Sequence, residues 1–325
     1  IWRLPLTDVL NSQAPLARRG RVVPLGQAGQ AAGDPADVRV LGDESFVVAL
    51  SGVHQLGIGH HDRIGITRVR TGRGPRRLLV DQIRRRALVT ATFDDCVTLV
   101  DLATTRHIAD ISLGPRRADG DYERGEQLFF DATLSRDGWM SCHSCHVDGH
   151  SNGLLNDNLG DAGFGAPKRV LSLLGTVDTG PWAWNGQVHS LRDQVVDSVT
   201  TTMRGQPPTS RQTRDLVAFL RGLGDPAPGL QPENRLQRQS VQRGGRLFRQ
   251  FGCTQCHPAP YYTSYGGYNV GLKDEMGYRE FNPPSLRGVA QRRRLFHDNR
   301  ASSLEEVFAR FRHRLPRKLS ARELA

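Results

Sequence analysis

Two five-residue strings, Cys142-His143-Ser144-Cys145-His146 and Cys253-Thr254-Gln255-Cys256-His257, use four of the chain's 5 cysteines and limit its fold more than any other feature. In Cys-x-x-Cys-His both thiols add to the vinyl groups of a heme while the adjoining imidazole ligates the iron, and the spacing lets three side chains reach one porphyrin. A zinc site would have to share ligands between strings 111 residues apart (253 − 142), and thioredoxin-type dithiols do not place His directly after the second Cys. The strings therefore predict two hemes of the c type. Cys142, Cys145, Cys253 and Cys256 are the attachment residues, and His146 and His257 the proximal iron ligands. Attachment of this kind takes place outside the cytoplasmic membrane, so the expected compartment is the periplasmic or extracellular side of a bacterial membrane. No signal peptide is visible at Ile1, which suggests a processed or partial chain. Cys96 stands apart in a strand-like run, where a buried thiol acts as a small apolar residue.

The 325 residues suffice for two or three domains, and 35 Gly with 18 Pro describe a loop-rich protein. No run approaches the ~18 apolar residues of a membrane span, so the chain is not expected to be transmembrane. A net charge of +11 fits an acidic protein partner or a membrane surface. The basic residues are scattered and form blunt runs such as Arg84 to Arg86 and Arg292 to Arg294, with no groove-reading motif beside them, so nucleic acid is not predicted.

Residues 1–36 form an irregular segment. From Asp37 to Pro115 short β-branched runs alternate with Gly and Asp turns and read as antiparallel strands. The stretch from Gly74 to Ile111 looks like a four-stranded blade of a YVTN-type β-propeller, which this much chain cannot close; a longer polypeptide or a partner would complete it. Helix signals dominate afterwards, in a first heme domain at 119–223, a linker at 224–235 and a second heme domain at 236–325. An internal echo supports the pairing: Arg124-Gly125-Glu126-Gln127-Leu128-Phe129 and Arg243-Gly244-Gly245-Arg246-Leu247-Phe248 precede the two strings, 119 residues apart (243 − 124). Arg214-Asp215-Leu216 and Arg322-Glu323-Leu324 follow them, and the second copy stops at Ala325, as if truncated. The expected fold is mixed and mainly α, with two c-type cytochrome domains in tandem behind an incomplete all-β segment.

Several motifs carry a family resemblance. Gly125 to Gly138, running into Cys142 to His146, resembles the first heme domain of bacterial diheme cytochrome c peroxidases and methylamine-utilisation diheme enzymes. Pro283-Pro284-Ser285-Leu286-Arg287-Gly288, Leu295-Phe296-His297-Asp298-Asn299 and Leu304-Glu305-Glu306-Val307 look like later motifs of the same family, in the same order. The resemblance covers about residues 120 to 325 and implies periplasmic electron transfer through two hemes. It also implies peroxide reduction or another heme-dependent oxidation as an alternative activity, a redox protein as donor or acceptor, and calcium as a further ion. Docking through the β segment into a larger redox assembly is a third reading.

The resemblance also assigns residues. Trp184-Asn185-Gly186 is similar to the family's Trp-Asp-Gly, whose Trp assists electron transfer between hemes; filling the core is the alternative role. Where the family places a distal Glu before Met, this chain has Thr202 before Met203, and a hydroxyl is a poor proton shuttle at neutral pH. Phe311 occupies the position of the second heme's sixth ligand and cannot bind iron; His313 is the first candidate in its place and Met276 the second. His297 matches a position near the second heme and is expected to hydrogen-bond there. Tyr261, Tyr262, Tyr265 and Tyr268 are expected to pack, and His60 and His61 to be surface turn residues.

Overall fold

A computed structural model describes residues 1–4, 6–11, 20–157, 159, 163–227, 229 and 231–324. Residues 12–19 of the N-terminal segment, Pro228 and Leu230 of the linker and Ala325 lie outside the described residues. Contacts divide the chain into two compact units, 1–144 with 203–206 and 145–202 with 207–325.

In the first unit a short pair, β1 (Trp2–Arg3) and β2 (Arg21–Val22), and a one-turn helix α1 (Leu6–Leu10) precede two antiparallel meanders. The first meander runs β3 (Pro35–Val40), β4 (Ser45–Leu50), β5 (Gln55–His60) and β6 (Ile66–Arg70); the second runs β7 (Pro75–Asp81), β8 (Arg86–Ala91), β9 (Cys96–Asp101) and β10 (Arg106–Ser112). Their turns show why short Asp-rich segments suffice. Arg85, Asp95 and Thr105 each take a left-handed conformation ten residues apart, and Asp81 and Asp101 accept backbone N–H bonds from the turns that follow them.

Strand β4 is buried on both faces. Val47 and Ala49 join Leu56, Leu78, Val89 and Val100 in a core shared by the two sheets, while Phe46, Val48 and Leu50 pack against Val23 and the N-terminal segment. Each such Val or Leu contributes about 1.5–3 kcal/mol when fully buried. The Asp37 carboxylate also ties the sheets together by accepting the Leu78 N–H at 3.0 Å. Cys96 is buried as expected. Neither sheet closes on itself, and no closed barrel or propeller forms among the described residues. The unit also holds α2 (Asp121–Phe129) and the first residues of α3 (Cys142–Cys145).

The second unit holds α4 (Leu191–Asp197), continued by a π-helical turn at Ser198–Thr202, and α5 (Ser210–Gly222), α6 (Arg235–Gln250), α7 (Leu304–Ala309) and α8 (Ala321–Leu324). The remaining chain is two-residue strand pairs and 3-10 turns, so the expectation of a mainly α region is corrected to mixed structure with modest helix. Gly149, Gly153, Gly165, Gly175 and Gly186 all take left-handed conformations that interrupt any helix there.

Those irregular segments repeat. The pair β11 (Leu155–Asn156) with β12 (Lys168–Arg169) recurs as β13 (Tyr268–Asn269) with β14 (Glu280–Phe281). The second strands, β12 and β14, start 112 residues apart (280 − 168), and the first, β11 and β13, 113 apart (268 − 155). At the same offset Gly175 and Gly288 open 3-10 turns in left-handed conformation, and the bridges Trp182 to Val188 and Leu295 to Ala301 close matching hairpins. Ser190 and Ser303 cap α4 and α7.

Candidate functional site

The first string sits on a prepared anchor. Within the first unit, the Asp34 carboxylate accepts the hydroxyls of Ser141 and Ser144, which bracket Cys142. Gly33 and Gly52 make room for that approach: a Cβ on either would lie under 3 Å from Ala132 Cβ. His143 lies on the Phe130 ring at 4.6 Å, and Phe130 in turn meets Phe129 and the Arg76 guanidinium. In the second unit, His146 donates Nδ1–H to Leu171 O at 3.0 Å, which turns Nε2 away as the free lone pair. Burial holds this imidazole below its usual basicity, so it stays neutral at pH 7.

The second string has the same essential device built differently. His257 donates Nδ1–H to Tyr262 O at 2.9 Å, a carbonyl placed by the left-handed Tyr262, and burial again lowers its basicity. Burial raises the Cys253 and Cys256 thiols. No disulfide joins any of the cysteines.

Between the two repeats lies a reciprocal lock. Arg169 N–H donates to His297 O at 2.6 Å, and its repeat partner Asn282 N–H donates to Trp184 O at 2.8 Å. Trp184 is buried, gives its indole N–H to Arg169 O at 2.8 Å and meets the His297 ring edge-on at 6.2 Å. His297, 2% exposed, stacks on Phe281 at 4.2 Å, and its Nε2 has no hydrogen-bond partner.

His313 lies in a tight turn after α7, with its N–H on Val307 O and its ring beside Phe296. Burial first, then the charge of His257, pushes its pKa down to about 4, and its buried Nδ1 is unpartnered. The two histidines therefore share one neighbourhood. Met276 is 66% exposed beside Gly165, in the turn next to the buried Lys168–Asp274 ion pair. Thr202 is the last residue of the π-helical turn and only partly exposed. Tyr261 stacks under Arg287, whereas Tyr265 is exposed.

Two residues were missed in the sequence. Arg169 is 6% exposed and Arg292 half-buried; Arg169 gives Nε–H to Phe296 O at 3.1 Å and lies over the Trp184 ring, Arg292 gives an N–H to Arg287 O at 3.0 Å, and among the described residues neither has a carboxylate at ion-pair distance. Burial lowers both, Arg169 to about 10 with the Arg292 charge adding to it, and burial and then the two arginines lower the nearby His150. A cation so placed is costly without an anion. Arg169 has no sequence signal, and Arg292 is masked by the run Arg292 to Arg294. The other surprise lies in the first unit. His60, His61 and Asp62 bring their ligand atoms within 4.8 Å of one another, and the His61 side chain is only 12% exposed.

Against known proteins, residues 121–221 match the family model of di-haem cytochrome c peroxidase. That match, with the relatives below, supports placing this region in the diheme peroxidase superfamily, whose members imply heme as cofactor. The chain is 28% identical over 237 residues to the methylamine utilization protein MauG of Methylorubrum extorquens, covering 56% of this chain and 66% of that one. It is 24% identical over 237 residues to the cytochrome c551 peroxidase of Nitrosomonas europaea, covering 57% of this chain and 70% of that one. The chain thus spans about two thirds of the length of these relatives. Among solved structures, the hydrazine synthase of Kuenenia stuttgartiensis aligns with a TM-score of 0.53 at 20% identity, over 65% of this chain and 86% of that chain, a likeness of fold. No helix among the described residues is long and apolar enough to cross a membrane.

Proposed function

We propose that this chain is a c-type diheme cytochrome of the peroxidase superfamily that passes electrons through two covalently attached hemes, on the periplasmic or extracellular side of a bacterial membrane. The observation that carries the reading is the shared treatment of His146 and His257. Each follows a Cys-x-x-Cys string, is kept neutral by burial, and gives Nδ1–H to a backbone carbonyl. That second hydrogen bond fixes the ring and leaves Nε2 for iron, as at other metal-bound histidines. Cys142 with Cys145 and Cys253 with Cys256 would hold the vinyl groups, and Arg169 and Arg292 would face propionates, the anions their burial calls for. The hemes, when bound, supply one-electron chemistry at potentials set by axial ligands and burial.

His313 is the better candidate for the sixth ligand of the second heme, because it is buried, unpartnered at Nδ1 and close enough to feel His257, while Met276 is exposed. Trp184, buried between the repeats, is the candidate bridge for electrons. With Thr202 in place of a carboxylate, proton delivery to peroxide lacks its usual agent, which favours electron relay over turnover. The five segments 1–36, 37–115, 119–223, 224–235 and 236–325 are the domain division we propose for this function.

Low-temperature EPR of the oxidised and half-reduced protein, followed by hydrogen peroxide, tests the reading. Two low-spin six-coordinate hemes indifferent to peroxide are expected; a high-spin signal that peroxide removes would give the site to peroxide reduction. Leu79 and Ile111, exposed on the outer face of the second meander, favour a second reading as a redox subunit of a larger assembly. Size-exclusion of the native material at the mass of one chain would count against it.

A further inference from the structure

We propose that His60, His61 and Asp62, with Glu44, form a binding site for a divalent transition metal of the zinc or copper type, in the β unit and separate from the heme strings. In the meander of the first sheet, the β3–β4 turn and the β5–β6 turn emerge at one end, and Ser45 at the start of β4 pairs with His60 at the end of β5. The register brings Asp43 and Glu44 of one turn against His60, His61 and Asp62 of the other.

The hydrogen bonds fix which ring atoms are available. His61 gives Nδ1–H to Glu44 O at 3.2 Å, and His60 gives Nε2–H to Asp43 O at 3.1 Å. With Nδ1 so engaged, His61 turns Nε2 toward the carboxylates, 2.7 Å from Glu44 Oε2 and 2.9 Å from Asp62 Oδ1. Three such atoms at these distances need a positive charge among them, either a metal ion or a proton on Nε2. His60 Nδ1, the lone-pair side of its ring, accepts the Asp62 N–H at 3.2 Å and would have to exchange that bond for the metal; the two imidazoles lie 4.7 Å apart. The ligand atoms of His60, His61 and Asp62 already fall within 4.8 Å of one another. An ion with bonds of about 2.0–2.2 Å would need shifts on the order of 1 Å to gather them.

The donor set selects the metal class. Two imidazoles with carboxylates suit zinc, copper or nickel, whereas calcium and magnesium prefer shells made of oxygen alone. Each histidine already has the backbone-carbonyl partner that orients metal-bound rings elsewhere. Asp43 is committed differently, to Ser45 and to Arg85 at 2.6 Å. Two arginines compete with the ion: Arg21 reaches Asp62 Oδ1 at 3.0 Å, and Arg3 stands 3.7 Å from Glu44. The alternative occupant of the gap is a proton on His61, making an imidazolium.

The test is isothermal titration of zinc chloride, then copper sulfate, into the chelator-treated holoprotein, with copper EPR on the loaded sample. One equivalent is expected at pH 7.5, with nitrogen hyperfine structure from imidazole. Binding should weaken at least tenfold in His61→Ala and in His60→Gln, while far-UV circular dichroism and the heme absorption bands stay as in the wild type. Glu44→Gln provides a variant that leaves both rings in place and should also weaken binding. The proposal is overturned if the wild type takes up neither metal, which would leave the imidazolium, or if the histidine variants titrate like the wild type.

Discussion

The two repeats of the second unit have the same backbone and different side chains at its most buried points. Leu173 N–H bonds Gly149 O and Leu286 N–H bonds Tyr262 O, each 113 residues on, and the residues that accept, Gly149 and Tyr262, are both left-handed. At the hairpin tip the first repeat has Trp184 and the second His297; beside them the first has the charged Lys168 and the second the apolar Phe281. The hydrogen-bond frame therefore defines where a side chain stands, and the residue type decides what each half does with that place. Arg169 and Asn282 each give a backbone N–H to the other repeat, at His297 O and Trp184 O, and so join the two repeats within the second unit.

The sharpest way to separate the halves is to remove one heme site at a time. Cys142→Ser with Cys145→Ser, and Cys253→Ser with Cys256→Ser, should each leave one heme per chain by pyridine hemochrome assay, half the wild-type content. Loss of both hemes from either double variant would mean that one half cannot take its cofactor without the other.

The Lys168 and Phe281 positions offer the next effect in size. Lys168 binds Asp274 at 3.0 Å and Ala166 O at 2.7 Å, with the two paired side chains 10% and 4% exposed. Lys168→Met leaves the carboxylate buried without its cation, with the Tyr278 N–H as a remaining donor, and should cost about 3–5 kcal/mol in denaturant unfolding. Phe281→Ala in the other half removes the stack under His297 and should cost a similar ~3–5 kcal/mol. Only the first is pH-dependent. Burial raises Asp274, but Lys168 and the Tyr278 N–H outweigh it and hold the carboxyl below its ordinary 3.8. A lowered carboxyl adds stability that is full above 3.8 and lost as the pH falls through the folded value. The stability gap between wild type and Asp274→Asn should therefore close below about pH 3.8, and a gap that stays constant down to pH 2 would show that the ion pair is not the source.

A smaller effect isolates Trp184. Trp184→Phe keeps an aromatic ring beside His297 but leaves Arg169 O without its donor, which should cost about 1–3 kcal/mol. If Trp184 also carries electrons between hemes, the rate of inter-heme transfer after flash reduction should fall, while a purely packing role leaves that rate unchanged.

The two Cys-x-x-Cys-His strings and the strand pattern of residues 37–115 were legible because each is local: a five-residue spacing and a period of two. The helical echo at Arg124 and Arg243 was legible too, but it gave an offset of 119 where the structure repeats at 113. The difference is physical. The repeat is written in backbone conformation, with left-handed residues as unlike as Ala183 and Phe296, Gly186 and Asn299, or Gly149 and Tyr262, and side-chain identity carries almost none of it. Arg169 and Arg292 were invisible for another reason. A guanidinium drawn inward without a carboxylate beside it is a property of the fold, and nothing in an isolated Arg distinguishes it from the many solvated ones. His60 and His61 read as a surface turn because their partners Glu44 and Asp43 come from the adjacent hairpin.

Ala183 and Phe296 give the finest test of the repeat, because one substitution should act with opposite sign at two equivalent positions. Both occupy left-handed conformations, φ 64° and 67°, that cost a residue with a Cβ on the order of 1 kcal/mol. Ala183→Gly relieves that cost and deletes only a methyl, so it should stabilise by about 0.5–1 kcal/mol. Phe296→Gly relieves the same cost but removes a ring packed on Phe311 at 5.3 Å and on His313 at 5.5 Å. Losing that ring outweighs the backbone gain, so the variant should be less stable by about 2–4 kcal/mol. Equal signs in paired denaturant curves would mean that the two backbones are not equivalent. Opposite signs would mean that the second repeat keeps its strained residue for the ring it carries, and that this ring holds the turn bearing His313.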